Sequence, residues 1–304
     1  MAPQLQPDIS DFVLFTIFKN VNVKNMPNQI INLSPNLLEL DFYSQVIDRM
    51  IAAVPGNYDV IIVSNPPDKP FEALPKTGRK KVVFSFSDEK NRLPDYAGDE
   101  DVVVVFKQYA PFTPHPKLCP IPMPYMAGFK PVNIPFENRS QNFFFRGHAN
   151  GSSRQELKTV TSNLIFPDSS IQFTDTFGVG DKEEYARMLG SSKFAICPTG
   201  NNAETFRHVE AAMSGCIVIS NHQGAHWYNA EVPFIYVNDW VELGILFDSL
   251  ISAPEVCAKL SKDTLDYYNK FLSIDAVSKV CINVLKFELG RTHDYYCPQI
   301  TLNL

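Results

Sequence analysis

Between Cys119 and Phe136 the chain reads C-P-I-P-M-P-Y-M-A-G-F-K-P-V-N-I-P-F, with a proline every few residues. A prolyl ring holds φ near about −65° and offers no backbone donor, so neither a helix interior nor a central strand can run through this stretch. It reads as a crossing between two domains, residues 1–135 and 136–304. A chain of 304 residues, 45% of them hydrophobic, is long enough to bury two ordinary cores.

Both sides of the crossing alternate short β-branched runs with helical ones. Before it, Phe12 to Phe18, Tyr58 to Ser64, Lys81 to Phe86 and Asp101 to Phe106 read as strands. A helix is predicted near Asp41 to Val54, because Phe42, Val46, Met50 and Val54 recur at a helical spacing and line one face. After it come the strand Gln141 to Arg146, a helix from Arg154, a helix over Asp181 to Leu189, the strand Lys193 to Cys197, a helix over Glu204 to Ser214 and the strand Cys216 to Ser220. Pro254 to Arg291 is helical by period, expected to cover the second sheet and to reach back toward the first domain. The fold class is α/β, with two Rossmann-like units.

The net charge of −6, with no long basic run, argues against a nucleic-acid partner. The six cysteines show no C-x-x-C spacing and read as reduced core residues. The first apolar run is too short for a leader or a membrane span, so a cytoplasmic protein is expected. The alternative is a lumenal domain whose anchor has been removed, the one setting in which the N-x-S sequons at Asn32, Asn138 and Asn150 would matter.

The stretch Ser191 to Ser220 carries the chemistry: strand, small polar turn, helix, strand. Open α/β sheets place ligands at the carboxyl ends of their strands. The turn Pro198 to Asn202, with Thr199, Gly200 and Asn201, lets backbone N–H groups approach an anion such as a diphosphate. On the helical wheel Phe206, Val209 and Met213 form the buried stripe, with Arg207 and Glu210 beside it between small residues. Alone, Arg207 and Glu210 would read as an i,i+3 surface pair. A cation in a first helical turn opposes the macrodipole by roughly 0.3–1 kcal/mol, however, which argues for an anion nearby. A second basic element repeats the pattern. Arg146 ends one strand, and Arg154 opens the next helix behind a capping box formed by Ser153 and Glu156.

At these residues the chain resembles the exostosin-like glycosyltransferases, glycosyltransferase family 47, whose signature runs roughly S-K-F-C-L-C-P-x-G, S-x-R-x-x-E-A and G-C-I-P-V-I. The matching stretches are Ser192 to Gly200, Thr205 to Ala211 and Gly215 to Ile219; Ala195, Ile196, Thr205 and Val218 depart from it. The resemblance spans about the last 160 residues. It implies a GT-B fold, two Rossmann-like domains facing a central cleft, and inverting transfer from a UDP-sugar to an oligosaccharide acceptor. It also implies that Glu210 holds the ribose hydroxyls and that Arg154 and Arg207 hold the diphosphate. Small soluble exostosin-like enzymes encoded by algal viruses, some of which add xylose, are similar in style, which favours xylose. A GDP-fucose-dependent fucosyltransferase of the same fold is the alternative, although its Y-x-T-E-K helix start is absent. A catalytically silent nucleotide-sugar or carbohydrate binder is a further one.

Inversion requires a base from the N-terminal domain. Asp88, just past the strand Lys81 to Phe86, is the first candidate, with Glu89 adjacent; Asp68, past another strand, is the second. Asp99, Glu100 and Asp101 read as a solvated turn, and the histidines lack H-E-x-x-H spacing. Arginines and helix ends are therefore expected to neutralise the charge, with no metal or other cofactor.

Overall fold

The structure is a computed structural model that describes residues 28–175, 180–222 and 224–290. The first sheet contains β1 (Gln29–Asn32), β2 (Tyr58–Ser64), β3 (Lys80–Phe86), β4 (Val102–Lys107) and β5 (Leu118–Pro120), in that spatial order. Every pairing is parallel. β2 and β3 are covered on both faces, which explains why they read as nearly continuous apolar runs rather than alternating ones. Helix α1 (Leu40–Ala53) buries Phe42, Val46 and Met50, the face set by their spacing. The Phe12 to Phe18 run lies outside the described residues.

The second sheet begins with β6 (Gln141–His148), followed by α2 (Ser152–Asn163), β7 (Ser170–Thr174), α3 (Lys182–Gly190), β8 (Ser192–Cys197), α4 (Phe206–Met213), β9 (Ile217–Ser220) and β10 (Ile235–Tyr236). Its spatial order is β10-β9-β8-β6-β7, again all parallel. From β6 the chain first winds outward to β7, then returns to the other side of β6 for β8, β9 and β10. Winding therefore reverses between β6 and β8, and a crevice opens there at the strand ends, the usual ligand position in such a sheet. The two-sheet, GT-B-like arrangement matches the expectation from sequence. β1, β5, β7 and β10 escaped it because they are short and only partly buried.

Two local expectations change. The Ser153 and Glu156 capping box does not form: α2 starts at Ser152 behind Gly151, whose φ of 83° suits glycine. Ser153 Oγ instead accepts the Trp240 indole N–H at 2.9 Å, and Glu156 accepts the Trp240 backbone N–H at 3.1 Å. A fully buried indole needs an acceptor, and these two side chains supply acceptors to its ring and its backbone. The second change concerns the bounds of the second unit, because the C-terminal helices, which reach back as expected, divide between the two cores. Leu243 and Leu250 of α5 (Leu243–Ile251) and Cys257 of α6 (Pro254–Tyr267) lie in the core of the second sheet, but α7 (Ile274–Gly290) crosses back. Its Val277, Cys281 and Leu285 lie in the first core, and Asp275 pairs with Arg49 of α1. By packing, α7 belongs to the N-terminal unit rather than to residues 136–304 as a whole.

No helix among the described residues is long and apolar enough to cross a membrane. The five described cysteines are free.

Candidate functional site

A cavity of about 840 Å³ lies between the two sheets. Ser87, Glu89 and Tyr109, beyond the carboxyl ends of β3 and β4, line one wall; Arg146, Gly147 and His148 at the end of β6 line the other, with Gly200 beyond β8. The reversal point of the second sheet thus opens straight into it.

Three guanidinium groups converge there. Arg146 pairs with Glu184 of α3 at 3.1 Å. Arg154, in the first turn of α2, is 9% exposed and donates through Nη1 to His148 O at 3.2 Å and to Asn150 Oδ1 at 3.0 Å. Arg207, in the first turn of α4, donates through Nη2 to Arg146 O at 2.7 Å and lies over the Phe145 ring at 4.9 Å. No ion pair joins Arg154 or Arg207 to a carboxylate among the described residues, and Nε of each is buried without a partner. Burial, then the like charge of Arg207, brings the Arg154 pKa down to about 10. Two mutually repelling cations, one buried and one half-buried, each with a buried spare donor, fit an anion such as a diphosphate.

Backbone geometry makes room for them. A Cβ on Gly147 would overlap the Arg207 guanidinium, and one on Gly200 would come within 2.9 Å of Arg154 Nη2. Glycine at both positions lets each arginine lie flat against the chain.

The polar turn acts differently from its sequence expectation. The Thr199 N–H donates to Asn221 Oδ1 at 3.0 Å and the Gly200 N–H to Asn202 O at 2.9 Å, so neither amide is spare for an anion. Thr199 does not line the cavity, whereas Gly200, Asn201 and Thr205 do. Asn201 and Asn202 instead reach across to the first domain: Asn201 Nδ2 donates to Glu89 Oε2 at 2.8 Å, and Asn202 Nδ2 to Glu89 O at 3.0 Å. Thr205 Oγ1 lies 3.0 Å from His208 Nδ1.

Glu210 is not one half of a surface pair. It is 3% exposed on the cavity wall, its carboxylate accepting from Met126 N–H at 3.1 Å and Tyr185 O–H at 2.9 Å. Burial raises its pKa, and these two hydrogen bonds offset part of the rise. Met126 lies in the proline-rich crossing, so Glu210 also ties that crossing to α4.

Neither Asp88 nor Asp68 suits the role of base. Asp88 is fully buried and does not line the cavity. It accepts from Arg92 Nε and Arg92 N–H, both at 2.8 Å, and from Lys107 Nζ at 3.1 Å. Burial alone would raise its pKa, but Arg92 and Lys107 outweigh that and hold it below the usual carboxylate range. A carboxylate so neutralised is a poor proton acceptor. Asp68 is exposed, paired with Lys90 at 3.0 Å and outside the cavity. Glu89 does line it.

The sequence analysis missed Glu39, Tyr109, Tyr185 and Glu204, all on the cavity wall. Glu39 follows the unrecognised β1, and without that strand nothing in the local sequence marks its place at a sheet end. Glu204 precedes the Thr205 N-cap of α4. Its Oε1 accepts from Tyr228 O–H at 2.8 Å while Oε2 is buried without a partner, and burial lifts its pKa to about 7.

Residues 139–289, about half of the chain and including α2, β8 and α4, match the family described as the RXYLT1 C-terminal domain. This match and two exostosin relatives support an exostosin-like glycosyltransferase. Exostosin-1b of Danio rerio is 30% identical over 87 residues, covering 28% of this chain and 11% of that protein. Exostosin-1a of the same organism is 26% identical over 119 residues, covering 36% and 16%. The chain therefore spans only a small part of the length of these exostosins. Among solved structures, AviGT4, a glycosyltransferase involved in avilamycin A biosynthesis, aligns with a TM-score of 0.41 at 10% identity, over 86% of this chain and 98% of that one. A GtfA/B complex aligns at 0.42 and 12%, over 84% and 62%. Arg207 and Glu210, which fall within the signature stretches, line one cavity together with Arg154.

Proposed function

We propose that the protein transfers a sugar, xylose by preference, from a UDP-sugar to a saccharide hydroxyl with inversion at the anomeric carbon. The observation that carries this reading is the pair of guanidinium groups, buried Arg154 and half-buried Arg207, each with a buried, unpartnered Nε at the reversal point of the second sheet. A pyrophosphate there relieves their repulsion and takes charge-assisted hydrogen bonds of roughly 1.5–3 kcal/mol each. Glu210 adjoins the same space and is suited to accept from ribose hydroxyls, as the family signature implies. The cavity volume lies in the range of small-molecule sites, about 300–1,000 Å³.

As the sugar leaves, negative charge grows on the departing phosphate, and the arginines stabilise it there without reorganising. In this reading they do the work that a metal does in other transferases. The acceptor enters from the N-terminal wall, whose carboxylates face the donor.

Calorimetric titration with UDP, UDP-xylose, other UDP-sugars and GDP-fucose tests the proposal, followed by UDP release in the presence of candidate saccharides. UDP-sugar binding with acceptor-dependent release is expected. Binding without release would favour a silent binder, preference for GDP-fucose would favour the fucosyltransferase alternative, and no binding to any nucleotide sugar would remove the reading.

A further inference from the structure

An inverting transfer needs a carboxylate or imidazole that lines the cavity, stands opposite the guanidinium groups and is not neutralised by a cation. Asp88 and Asp68 are excluded by their partners and positions. Glu204, Glu210, Asp181 and His148 belong to the donor half; both glutamates already accept from a tyrosine hydroxyl, and Asp181 caps α3 by accepting from the Glu183 N–H. Two carboxylates remain on the N-terminal wall, Glu39 and Glu89.

They differ in what holds them. Glu89 accepts from Asn201 of the donor-side turn and interacts electrostatically with Arg154, so it belongs to the phosphate end of the cavity. Glu39 is 6% exposed, lines the cavity and stands at the N-cap of α1, where its side chain makes no capping hydrogen bond. No ion pair involves it among the described residues. Tyr109, buried nearby, senses both glutamates, and it and Ser87 hold left-handed backbones, φ 49° and 66°, at the ends of β4 and β3. Non-glycine residues in that region are strained, by about 1–3 kcal/mol each, and such strain gathers where a surface is shaped for a ligand.

We infer that Glu39 is the general base, the catalytic residue that takes the proton from the acceptor hydroxyl. This rests on the glycosyl-transfer reading above. The hydroxyl proton passes to a Glu39 carboxylate oxygen while the acceptor oxygen's electron pair forms the bond to the anomeric carbon. The bond from that carbon to the β-phosphate oxygen breaks, and its pair leaves with UDP. The products are an inverted glycoside, UDP and a protonated Glu39, which returns its proton to solvent. The titratable groups facing Glu39 are acids from three elements: Glu89 beyond β3, Tyr109 beyond β4 and Tyr43 on α1. Burial, then the charge of Glu89, raises the Glu39 pKa, so the acid limb of the rate profile should lie above the ordinary carboxylate range, with activity falling as pH drops through it.

The test compares Glu39→Gln, Glu39→Asp and Glu89→Gln in the full chain. Each is assayed for UDP binding, thermal melting, kcat and KM for the acceptor, and the pH profile. Glu39→Gln should lower kcat by about 10²–10⁴-fold, leave the Kd for UDP within about twofold and abolish the acid limb. Glu39→Asp should retain partial kcat with the limb present, and Glu89→Gln should change kcat less than Glu39→Gln does. A Glu39→Gln enzyme within about threefold of wild-type kcat would overturn the assignment, as would a larger kcat loss in Glu89→Gln. Should Glu39→Gln not fold, Glu39→Asp decides: an unchanged kcat and unshifted acid limb would defeat the inference, and a reduced kcat with a shifted limb would support it. Failure of the wild type to bind any UDP-sugar would instead strike at glycosyl transfer itself.

Discussion

Two clusters of buried charge face opposite ways in this molecule. In the N-terminal unit Asp88 sits between Arg92 and Lys107, with Lys107 also donating to the carbonyl oxygens of Gln108 and Tyr109 at 3.0 and 3.1 Å. In the C-terminal unit Arg154 and Arg207 repel each other, each has a buried donor left over, and neither forms an ion pair among the described residues. Both clusters stand near strand ends where function is expected, yet only the second has spare capacity. A buried charge that the protein has already neutralised holds the fold together, whereas one left wanting an opposite charge marks the place of a ligand.

That contrast can be broken by substitution. The largest effect is expected at Asp88, because Asp88→Asn leaves the Lys107 ammonium buried without its counter-charge. We expect a loss of about 3–5 kcal/mol, read as a drop in denaturation midpoint, with the Kd for UDP unchanged in the folded fraction. Weakened UDP binding with unaltered stability would put Asp88 back at the site. Next in size, Arg154→Ala and Arg207→Ala should each weaken UDP binding by about 10–100-fold, the equivalent of one lost charge-assisted hydrogen bond. Relief of like-charge repulsion should keep their melting temperatures close to wild type. A collapse in stability with binding retained would make these arginines structural.

Gly147→Ala is a finer probe, since the methyl group meets the Arg207 guanidinium and must displace it. UDP affinity should fall by about tenfold, the scale of one misplaced contact; an unchanged affinity would show that Arg207 is free to move. The smallest effect is expected at Glu204, an intermediate case with one satisfied oxygen and one orphan. Its pKa is lifted from 4.5 to about 7, so the stability it contributes is full below pH 4.5 and is lost as pH rises through 7. Glu204→Gln should therefore raise the melting temperature by a few degrees at pH 8 and leave it unchanged at pH 4.5. A shift of the same size at both values would mean that Glu204 does not titrate in this window.

Much of the architecture was legible because its causes are local. The Phe42, Val46, Met50 spacing predicted α1, the apolar runs predicted β2, β3 and β8, and the proline string marked the crossing. Arg154 and Arg207 stood out because cations at helix starts violate a rule that acts within one turn. Thr199 misled for the complementary reason: small polar residues in a turn predict accessible amides, but Asn221, from the far end of β9, takes the Thr199 N–H.

What the sequence by itself determined is therefore the alternation of strands and helices and the identity of the two cations that open α2 and α4. These follow from backbone propensity and side-chain period, which act between residues a few positions apart. Only the tertiary structure decided that those cations share one cavity, that Lys107 neutralises Asp88, that Glu39 lines the same cavity and that Met126 reaches Glu210 across 84 positions of chain. Burial and Coulomb interactions depend on distance through space, and that distance exists only once the sheets have packed.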